Sequence, residues 1–411
     1  MPASTAKLAP NFNNMLKRFI NASFADAEGA YAKNERTLVY GTEGEGILFF
    51  GRPDELPSEL SMAETEDLNG LTVMPALVDT HVHLRDPGQT QKESMETGMR
   101  AALKGGTATV CAMANTSPVL ETPDLIQGNL DKADSLKLCT LVQAAAAGIG
   151  LNDEVPTDWE ALSKVTNVIS NDGKTIFSDW FMEKLLKASA KYGFVISTHC
   201  QPERATVRRD IELLKETGGN LHTGHISRKG TLDMIAEAKG RGLPITCEVT
   251  PHHIFASGLD YRVNPSIRTE EDRLALIEGI RAGLIDCLCT DHAPHTVEDK
   301  EKGMAGISGI EFAFAIDWKI FHDNGIPLTT LSRMGSLNTA LRLGFTDRGL
   351  LSPGMRADLM VVDTEKKRIL RKDEMISRSH NTPFDGREIL GEVMKTIVNG
   401  ETLYDNGYFT R

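Results

Sequence analysis

The chain has 411 residues, of which 40% are hydrophobic and 25% are charged. This length exceeds one small domain and fits a barrel of about 250 residues with a second module beside it. The composition is that of a globular protein and excludes a disordered one. The formal net charge of -12 argues against a general nucleic-acid binder, which needs basic surface. A small anionic substrate is compatible, because one local Arg or Lys can outweigh the global sign.

We expect neither a membrane span nor a secretion signal. No stretch approaches about 20 continuous apolar residues, and the N-terminal segment lacks an apolar signal core. Residues 1–12 are expected to form a loose tail. The resulting expectation is a cytoplasmic enzyme with no membrane partner and no nucleic-acid partner. The six cysteines form no CxxC pair and are expected to be buried free thiols.

Short strands are predicted at both ends of the chain. Residues 36–40 and 46–51 are apolar runs bounded by glycines and acidic residues, and similar runs occupy 358–363 and 395–400. The simplest arrangement pairs the two ends in one β-sandwich. We therefore predict three segments, which are the N-terminal part of the sandwich (1–75), a central barrel (76–346) and the C-terminal part of the sandwich (347–411).

The central segment alternates strand and helix candidates. A strand at 77–81 is followed by a helix at 93–104 and a strand at 108–112. Later predicted helices span 180–192, 231–241 and 272–282, and later predicted strands span 194–199, 244–249 and 285–290. Repeated β-then-α units imply a parallel sheet, either open or closed.

Histidines lie at informative places in this pattern. His81 and His83 are alternate residues at the end of a predicted strand, so both imidazoles can face one ion. Neutral imidazole is a common zinc ligand. Taken alone, the pair also fits two polar residues on an exposed strand.

Three further residues strengthen the interpretation of His81 and His83 as metal ligands. His199, His225 and Asp291 each lie at or just past the end of another strand candidate. In a parallel barrel the C-terminal ends of all strands open on one face, which carries the active site. Each of the three also fits a structural role when taken singly. Together with His81 and His83 they predict a metal site built from four strand ends.

Several segments carry specific motifs. They are DTHVHLRDPG at 79–88, MANTSP at 113–118, CEVTPHH at 247–253, TDHAPH at 290–295 and SHNTPFDGR at 379–387. With these motifs the chain resembles the amidohydrolase superfamily and, within it, the dihydroorotases of the bacterial long-chain type. The resemblance runs from about residue 65 to 405.

The resemblance implies an α/β fold, a (β/α)₈ TIM-like barrel with a small β-sandwich formed by both termini. It implies the reversible, zinc-dependent cyclisation of N-carbamoyl-L-aspartate to (S)-dihydroorotate, a step of pyrimidine biosynthesis. One or two Zn²⁺ ions per subunit are expected, and two are favoured. A homo-oligomer is expected as well, and aspartate transcarbamoylase is a candidate partner.

The motifs also imply roles for individual residues. The expected metal ligands are His81, His83, His199, His225 and Asp291. The expected substrate-binding residues are Arg85, Asn115, Asn264 and His295. Asp291 is further expected to carry the proton between the attacking water and the leaving nitrogen. Arg85 suits a two-pronged contact with a substrate carboxylate, which Lys could not copy.

The residue that bridges two metals is left open by the motifs. Many relatives use a carboxylated lysine at the end of the fourth strand. Here that region reads Asn171-Asp172-Gly173-Lys174, which resembles the branch with Asp-Asp-Gly apart from Asn171. Asp172 is the favoured bridge, Lys174 is the alternative, and a one-metal site without a bridge is the third. The stretch between His199 and His225 is shorter than is usual in the bacterial branch.

Two other functions compete with this interpretation. A hydantoinase- or allantoinase-like cyclic amidase would use the lysine bridge and typically lacks the Leu-Arg-Asp-Pro-Gly run. A non-catalytic homologue that scaffolds aspartate transcarbamoylase would usually have lost metal ligands, whereas all five strong ligands are present here. His252 and His253 are expected to pack or support the site rather than bind metal. The glycine-rich segment 303–309 is expected at the pocket rim.

Overall fold

The computed structural model describes residues 16–42 and 44–411. The tail expected at residues 1–12 lies outside this range. Within it, no helix combines the length and the apolar character needed to cross a membrane. All six cysteines are buried and free, as expected.

Strands occur in three groups along the chain. The N-terminal group is β1 (Leu16–Ile20), β2 (Ser23–Ala25), β3 (Ala30–Tyr31), β4 (Thr37–Gly41), β5 (Gly46–Gly51), β6 (Glu64–Asp67) and β7 (Thr72–Pro75). The central group is β8 (Leu77–Val82), β9 (Thr107–Ala112), β10 (Thr140–Gln143), β11 (Val168–Ser170), β12 (Val195–Thr198), β13 (Asn220–Thr223), β14 (Ile245–Val249) and β15 (Cys287–Leu288). The C-terminal group is β16 (Leu359–Ile369), β17 (Glu388–Val398), β18 (Glu401–Asp405) and β19 (Tyr408–Phe409).

Helices follow the central strands. They are α1 (Met95–Lys104), α2 (Pro123–Leu136), α3 (Trp159–Leu162), α4 (Asp179–Tyr192), α5 (Glu203–Thr217), α6 (Lys229–Gly240), α7 (Pro251–Phe255), α8 (Glu270–Arg281), α9 (Val297–Glu301), α10 (Ala313–Asp323), α11 (Leu328–Ser332) and α12 (Asn338–Arg342). Helix α4 illustrates why they form. The Ser178 side chain caps its first turn, and Gly193 ends it in a left-handed conformation. Between these caps Phe181, Leu185 and Ser189 share a buried face at the i, i+4 spacing.

The central strands close into a barrel. Strands β8 to β10 and strands β11 to β15 form two parallel sheets in chain order. A bridge between Ala145 and Ile169 joins β10 to β11, and one between Val82 and His292 joins β8 to the segment after β15. The barrel part of the predicted fold class is confirmed.

The last barrel strand is much shorter than the run predicted at 285–290. Single backbone hydrogen bonds to β14 continue from Asp286 N at 3.2 Å and from Cys289 N at 3.1 Å, but a carboxylate accepts a backbone amide at each end. The Asp286 carboxylate accepts a hydrogen bond from the Cys247 backbone at 2.7 Å. The Asp79 carboxylate accepts one from the Thr290 backbone at 3.1 Å. Apolar composition alone therefore overestimated the strand.

Both termini contribute to the β-sandwich, as predicted. One sheet has the order β19-β18-β17-β16-β7-β2-β3, in which β7 lies antiparallel to β16. The other sheet, β5-β4-β1-β6, packs on it through a second hydrophobic core that includes Phe19, Tyr40, Val73 and Val361. The three segment boundaries stay predictions. Strand β7 ends at Pro75, and α12 ends at Arg342.

Candidate metal centre and substrate pocket

The C-terminal ends of the barrel strands bring together the six predicted metal ligands. His81 lies in β8, and the other ligands lie within three residues of a strand end. Asp172 lies between the imidazoles, with Oδ1 3.2 Å from His81 Nε2 and Oδ2 3.4 Å from His83 Nε2. Its Oδ1 also lies 3.4 Å from His199 Nδ1 and 3.6 Å from His225 Nε2. The two oxygens of one carboxylate thus face two sides of the cluster.

Asp291 completes one side of this cluster. Its Oδ1 lies 3.2 Å from His83 Nε2 and 3.9 Å from His81 Nε2. Ligand atoms of His81, His83 and Asp291 all lie within 4.8 Å of one another, and so do those of His81, Asp172 and His225. Two overlapping groups with this spacing could hold one or two metal ions.

The donor atoms of this cluster fit a cation. His81 Nε2 and Asp172 Oδ1 are buried and have no hydrogen-bond partner of good geometry among the described residues, although they lie close together. Buried polar atoms without partners are costly and call for a ligand. Imidazole nitrogens and carboxylate oxygens are the donors that zinc and similar ions accept.

The protonation states of Asp172, His83 and His81 agree with the binding of a cation. Burial alone would raise the pKa of Asp172, but the His81 charge and the nearby His199 and His225 imidazoles hold it well below its usual range. Burial lowers the pKa of His83, so its imidazole is neutral near pH 7. Burial would also lower the pKa of His81, but Asp172 and Glu248 raise it well above the ordinary value. Binding of a metal at His81 would therefore release a proton.

Glu248 orients His81, and the sequence reasoning missed it. This carboxylate is fully buried and lies 2.9 Å from His81 Nδ1 and 3.0 Å from His222 Nε2. It also accepts a hydrogen bond from the Thr80 hydroxyl. With Nδ1–H held by the carboxylate, His81 presents Nε2 to the cluster. A charged residue inside the otherwise apolar strand β14 was the available signal.

Asn115 performs the corresponding task for His83. Its Oδ1 lies 2.9 Å from His83 Nδ1, which leaves Nε2 of His83 free to face Asp172 and Asp291. The Asn115 side chain also lines the pocket. One amide therefore supports a ligand with its oxygen and offers its nitrogen to the cavity.

Three site residues adopt left-handed backbone conformations. The φ angles are 57° at Arg85, 30° at His225 and 45° at Asp291. Such conformations are unfavourable for residues with a Cβ and persist only where the surroundings impose them. At Asp291 the surroundings include the Asp79 carboxylate, which binds both the backbone and the hydroxyl of Thr290.

A cavity of about 580 Å³ opens on the cluster. The predicted substrate-binding residues that line it are Arg85, Asn115, Asn264 and His295. Gly303 and Gly306 of the glycine-rich segment also line it, as expected for a rim. Arg262 lines the cavity as well, and sequence reasoning did not single it out.

Arg85 is buried beside the cluster. Its Nε donates to the Pro294 carbonyl at 3.2 Å, and its Nη2 lies 3.3 Å from His295 Nε2. It has no ion pair within the part of the chain that the structure describes. Burial lowers the pKa of Arg85 to about 10, so the guanidinium remains charged at neutral pH. Burial and the nearby Arg85 charge lower the pKa of His295 to about 3, so this imidazole is neutral.

Lys174 lines the same cavity, but its amino group bonds to residues outside the cluster. Its Nζ donates to the Gly150 carbonyl at 3.3 Å and to Asn152 Oδ1 at 3.2 Å. Asn171, which stands where the resembled branch has Asp, accepts a hydrogen bond from the Ala147 backbone with Oδ1 and donates to Asn152 O with Nδ2. An aspartate could not make the second bond. The geometry thus favours Asp172 over Lys174 as the bridge.

His252 and His253 are buried and take no part in the two possible metal-binding groups of the described residues. His253 Nδ1 lies 2.6 Å from the Thr250 hydroxyl, and its Nε2 lies 2.9 Å from the Pro265 carbonyl. His253 therefore supports the segment that carries Asn264. The expectation of packing and support agrees with these contacts.

Comparisons with known proteins place the chain in a family. A model of the amidohydrolase family matches residues 72–403. A dihydroorotase of Clostridium botulinum (strain Eklund 17B / Type B) is 37% identical, over 90% of this chain and 98% of that protein. A dihydroorotase of Aquifex aeolicus (strain VF5) is 35% identical, over 83% of this chain and 90% of that protein.

Solved structures show the same fold at lower identity. An L-hydantoinase (dihydropyrimidinase) from Arthrobacter aurescens has a TM-score of 0.86 and 22% identity, and covers 96% of this chain and 97% of its own. A dihydropyrimidinase from Brevibacillus agri NCHU1002 has a TM-score of 0.85 and 20% identity, with 96% of each chain covered. At this identity the likeness concerns the fold alone.

A closed parallel barrel with a histidine and aspartate cluster at its C-terminal face defines a metal-dependent hydrolase architecture, and the family match agrees with it. The chain belongs to the amidohydrolase family. Within that family it belongs with the dihydroorotases, to which it is 32–37% identical over most of its length.

The choice between Asp172 and Lys174 can be tested by metal content. Asp172→Ala removes the carboxylate that faces both sides of the cluster, so we expect the purified variant to lose about one metal equivalent or more. Lys174→Ala should keep the metal-to-protein ratio of the unaltered protein, because Nζ does not contact the cluster. Elemental analysis after dialysis measures both ratios. Full metal content in Asp172→Ala with loss in Lys174→Ala would reverse the assignment.

The task of Glu248 can be tested with an isosteric change. Glu248→Gln removes the negative charge that holds His81 Nδ1–H, and we expect metal affinity to fall roughly 10- to 100-fold. Competition with a chromogenic chelator measures the affinity. Glu237→Gln, on the exposed side of α6, is the control and should bind metal normally. Equal affinities in the two variants would argue against an orienting task for Glu248.

Proposed function

We propose that this protein is a dihydroorotase, which reversibly cyclises N-carbamoyl-L-aspartate to (S)-dihydroorotate in de novo pyrimidine biosynthesis. The 32–37% identity to curated dihydroorotases supports this proposal. The observation that carries it is the buried guanidinium of Arg85, which opens on the same cavity as the metal-binding cluster.

Arg85 argues for a substrate with a carboxylate. A buried cation that has no carboxylate in direct contact is unfavourable, so an anion that enters the cavity would stabilise it. A carboxylate can take two hydrogen bonds from one guanidinium, which adds both energy and orientation. Dihydroorotate carries such a carboxylate on its ring, whereas hydantoin and allantoin do not. The site therefore favours the acidic ring.

We propose zinc as the metal, with two ions per subunit. His81, His83 and Asp291 would hold one ion, His199 and His225 would hold the other, and Asp172 would bridge them. Bound zinc supplies Lewis acidity, which polarises a carbonyl and lowers the pKa of a water molecule to around 7.

The side chains of the chain supply the remaining chemistry. Burial would raise the pKa of Asp291, but the His83 imidazole beside it and nearby imidazole charges hold it well below its usual range. The carboxylate is therefore anionic and can accept a proton from water. As the ring amide bond breaks, Asp291 returns that proton to the leaving nitrogen. In the direction of cyclisation the same carboxylate takes the proton from the ureido nitrogen.

Four residues would orient the ring in this proposal. Arg85 and His295 lie together at one side of the cavity and would bind the carboxylate. Asn115 and Asn264 line the same cavity and would hydrogen-bond the polar edge of the ring. Positioning of this kind lowers the barrier because the reacting groups are held close and aligned before reaction.

We further propose a cytoplasmic homo-oligomer, with aspartate transcarbamoylase as a candidate partner. These expectations come from the family resemblance. A scaffold without activity is disfavoured, because all five ligands named by the motifs and the bridging carboxylate are present and lie together.

A hydantoinase-like amidase is the second candidate, because solved structures with the same fold carry that activity in their names. Side-by-side assays of dihydroorotate, hydantoin and allantoin with the zinc-loaded protein separate the two. We expect turnover of dihydroorotate at least about 100-fold above the neutral rings, because a site built to bind a polar group rejects an analogue that lacks it. Turnover of hydantoin alone would refute the proposed substrate.

Arg85 variants test the carboxylate contact directly. Arg85→Met should raise the KM for dihydroorotate roughly 10- to 100-fold, since a charge-assisted pair contributes about 1.5–3 kcal/mol. Arg85→Lys should recover only part of the loss, because Lys cannot make the two-pronged contact. Both variants should keep their metal, and Arg52→Met on the exposed surface serves as the control. Unchanged KM in Arg85→Met would remove the central support for an acidic substrate.

A further inference from the structure

A connecting segment between two strands of the sandwich reaches the active site. Strand β16 ends at Ile369 and β17 begins at Glu388, and the chain between them includes Met375–Thr382, which we call the strap. The strap contains the start of the SHNTPFDGR motif, whose purpose the metal cluster and pocket leave unexplained.

Two buried glutamates attach the strap to the barrel. Glu311 Oε2 accepts hydrogen bonds from the backbone of Ile376 at 2.7 Å and of Ser377 at 3.2 Å. Glu93 Oε1 accepts one from the Arg378 backbone at 3.1 Å, and its carboxylate also binds the Ser377 hydroxyl. Buried carboxylates are tolerated only when they are satisfied in this way, so the path of the strap is fixed.

The strap places Asn381 between the loop that carries His295 and the rim at Gly306. Asn381 Oδ1 accepts hydrogen bonds from the His295 backbone at 3.1 Å and from Ser308 Oγ at 2.8 Å. Its Nδ2 donates to the carbonyls of Gly306 at 3.0 Å and Ala293 at 3.4 Å. A single amide thereby joins the loop that carries Asp291 and His295 to the rim of the pocket.

The residues that Asn381 holds face the pocket. The imidazole of His295 lies against the guanidinium of Arg85, and Gly306 lines the cavity beside them. At Gly306 the φ angle is 148°, and an added Cβ would lie 2.5 Å from the Ala293 carbonyl. The backbone of the rim and the backbone of the His295 loop are therefore too close for a side chain at position 306 to fit between them. The Asn381 amide hydrogen-bonds to both.

We propose that Asn381 is a positioning residue for the substrate carboxylate. Its hydrogen bonds fix the position of the His295 backbone relative to the rim at Gly306. Through the His295 imidazole they also fix the position of the Arg85 guanidinium. The identity of the ligand rests on the proposed function. The coupling itself rests on the four hydrogen bonds of the Asn381 amide.

Other hydrogen bonds to the rim limit how much the loss of Asn381 can change substrate binding. Lys300 Nζ donates to the carbonyls of Met304 at 2.9 Å and Gly306 at 3.0 Å. Backbone hydrogen bonds also run from Ala293 N to the Ile307 carbonyl at 2.7 Å and from Gly306 N to the Arg262 carbonyl at 3.1 Å, so the rim stays attached when the Asn381 side chain is removed. Loss of Asn381 should thus displace the carboxylate-binding residues without releasing the loop. Displacements of about 1 Å can change rates by up to about 100-fold, and we expect roughly a tenfold effect here.

The first measurement is a KM and kcat comparison with dihydroorotate. Asn381→Ala should raise KM about tenfold and change kcat less than about threefold, because the metal ligands are untouched. His380→Ala is the matched control, since its exposed side chain has no hydrogen bond or ion pair to the described residues. It should leave both constants unchanged. A fall in kcat without a change in KM for Asn381→Ala would overturn the proposal.

A double-variant cycle distinguishes positioning from a general structural effect. If Asn381 acts through His295, Asn381→Ala should change KM less than about twofold when His295→Ala is already present. Independent, multiplicative effects of the two changes on KM would overturn the proposed route.

A third measurement does not depend on the substrate. Lys302 is exposed next to Gly303 at the start of the rim, so trypsin cleavage there reports how firmly the rim is held. Cleavage should be several-fold faster in Asn381→Ala and unchanged in His380→Ala, at equal midpoints of thermal unfolding. If the unaltered protein does not hydrolyse dihydroorotate, the proposed function fails while this cleavage still tests the coupling. Equal cleavage rates would overturn it.

Discussion

The structure depends on one buried carboxylate that lies among four imidazoles. Asp172 has no solvent to stabilise its charge, so both of its oxygens must be compensated by groups that the barrel brings to the same point. Glu248 and Asn115 hold the opposite nitrogens of two of these imidazoles, which turns the remaining nitrogens towards Asp172. The left-handed backbone conformation at Asp291 serves the same cluster, because it brings a second carboxylate to the imidazoles.

Fold and substrate are decided by different parts of the molecule. The solved structures of hydantoinases superpose on nearly the whole chain at 18–23% identity, so the barrel, the sandwich and the strand ends are shared. A fold of this kind accommodates many substrates through its loops. The buried cation at Arg85 and the neutral His295 beside it are features of the loops, and they argue for an anionic ring.

Sequence patterns predicted most of the fold, because alternating strands and helices leave a clear periodicity. They overestimated the length of β15, where the carboxylates of Asp286 and Asp79 accept hydrogen bonds from backbone amides at the two ends of the strand. Glu248 was missed for a related reason. Its single charge within an apolar strand has meaning only when β8 lies close enough for His81 to reach it.

The sequence by itself determined the alternation of strands and helices and the identity of the candidate ligands, since the spacing of apolar residues places His81, His199, His225 and Asp291 at strand ends. The closed barrel was implied by the family resemblance. Only the tertiary structure decided how the ligands combine. Barrel closure brings His83 within 3.4 Å of Asp172, 89 positions away, and His81 within 3.9 Å of Asp291, 210 positions away. It turns Asp172 towards the imidazoles, while Nζ of Lys174 is held by Gly150 and Asn152. Local pattern specifies which side chains share a face, whereas distances between them depend on long-range strand order that no local pattern contains.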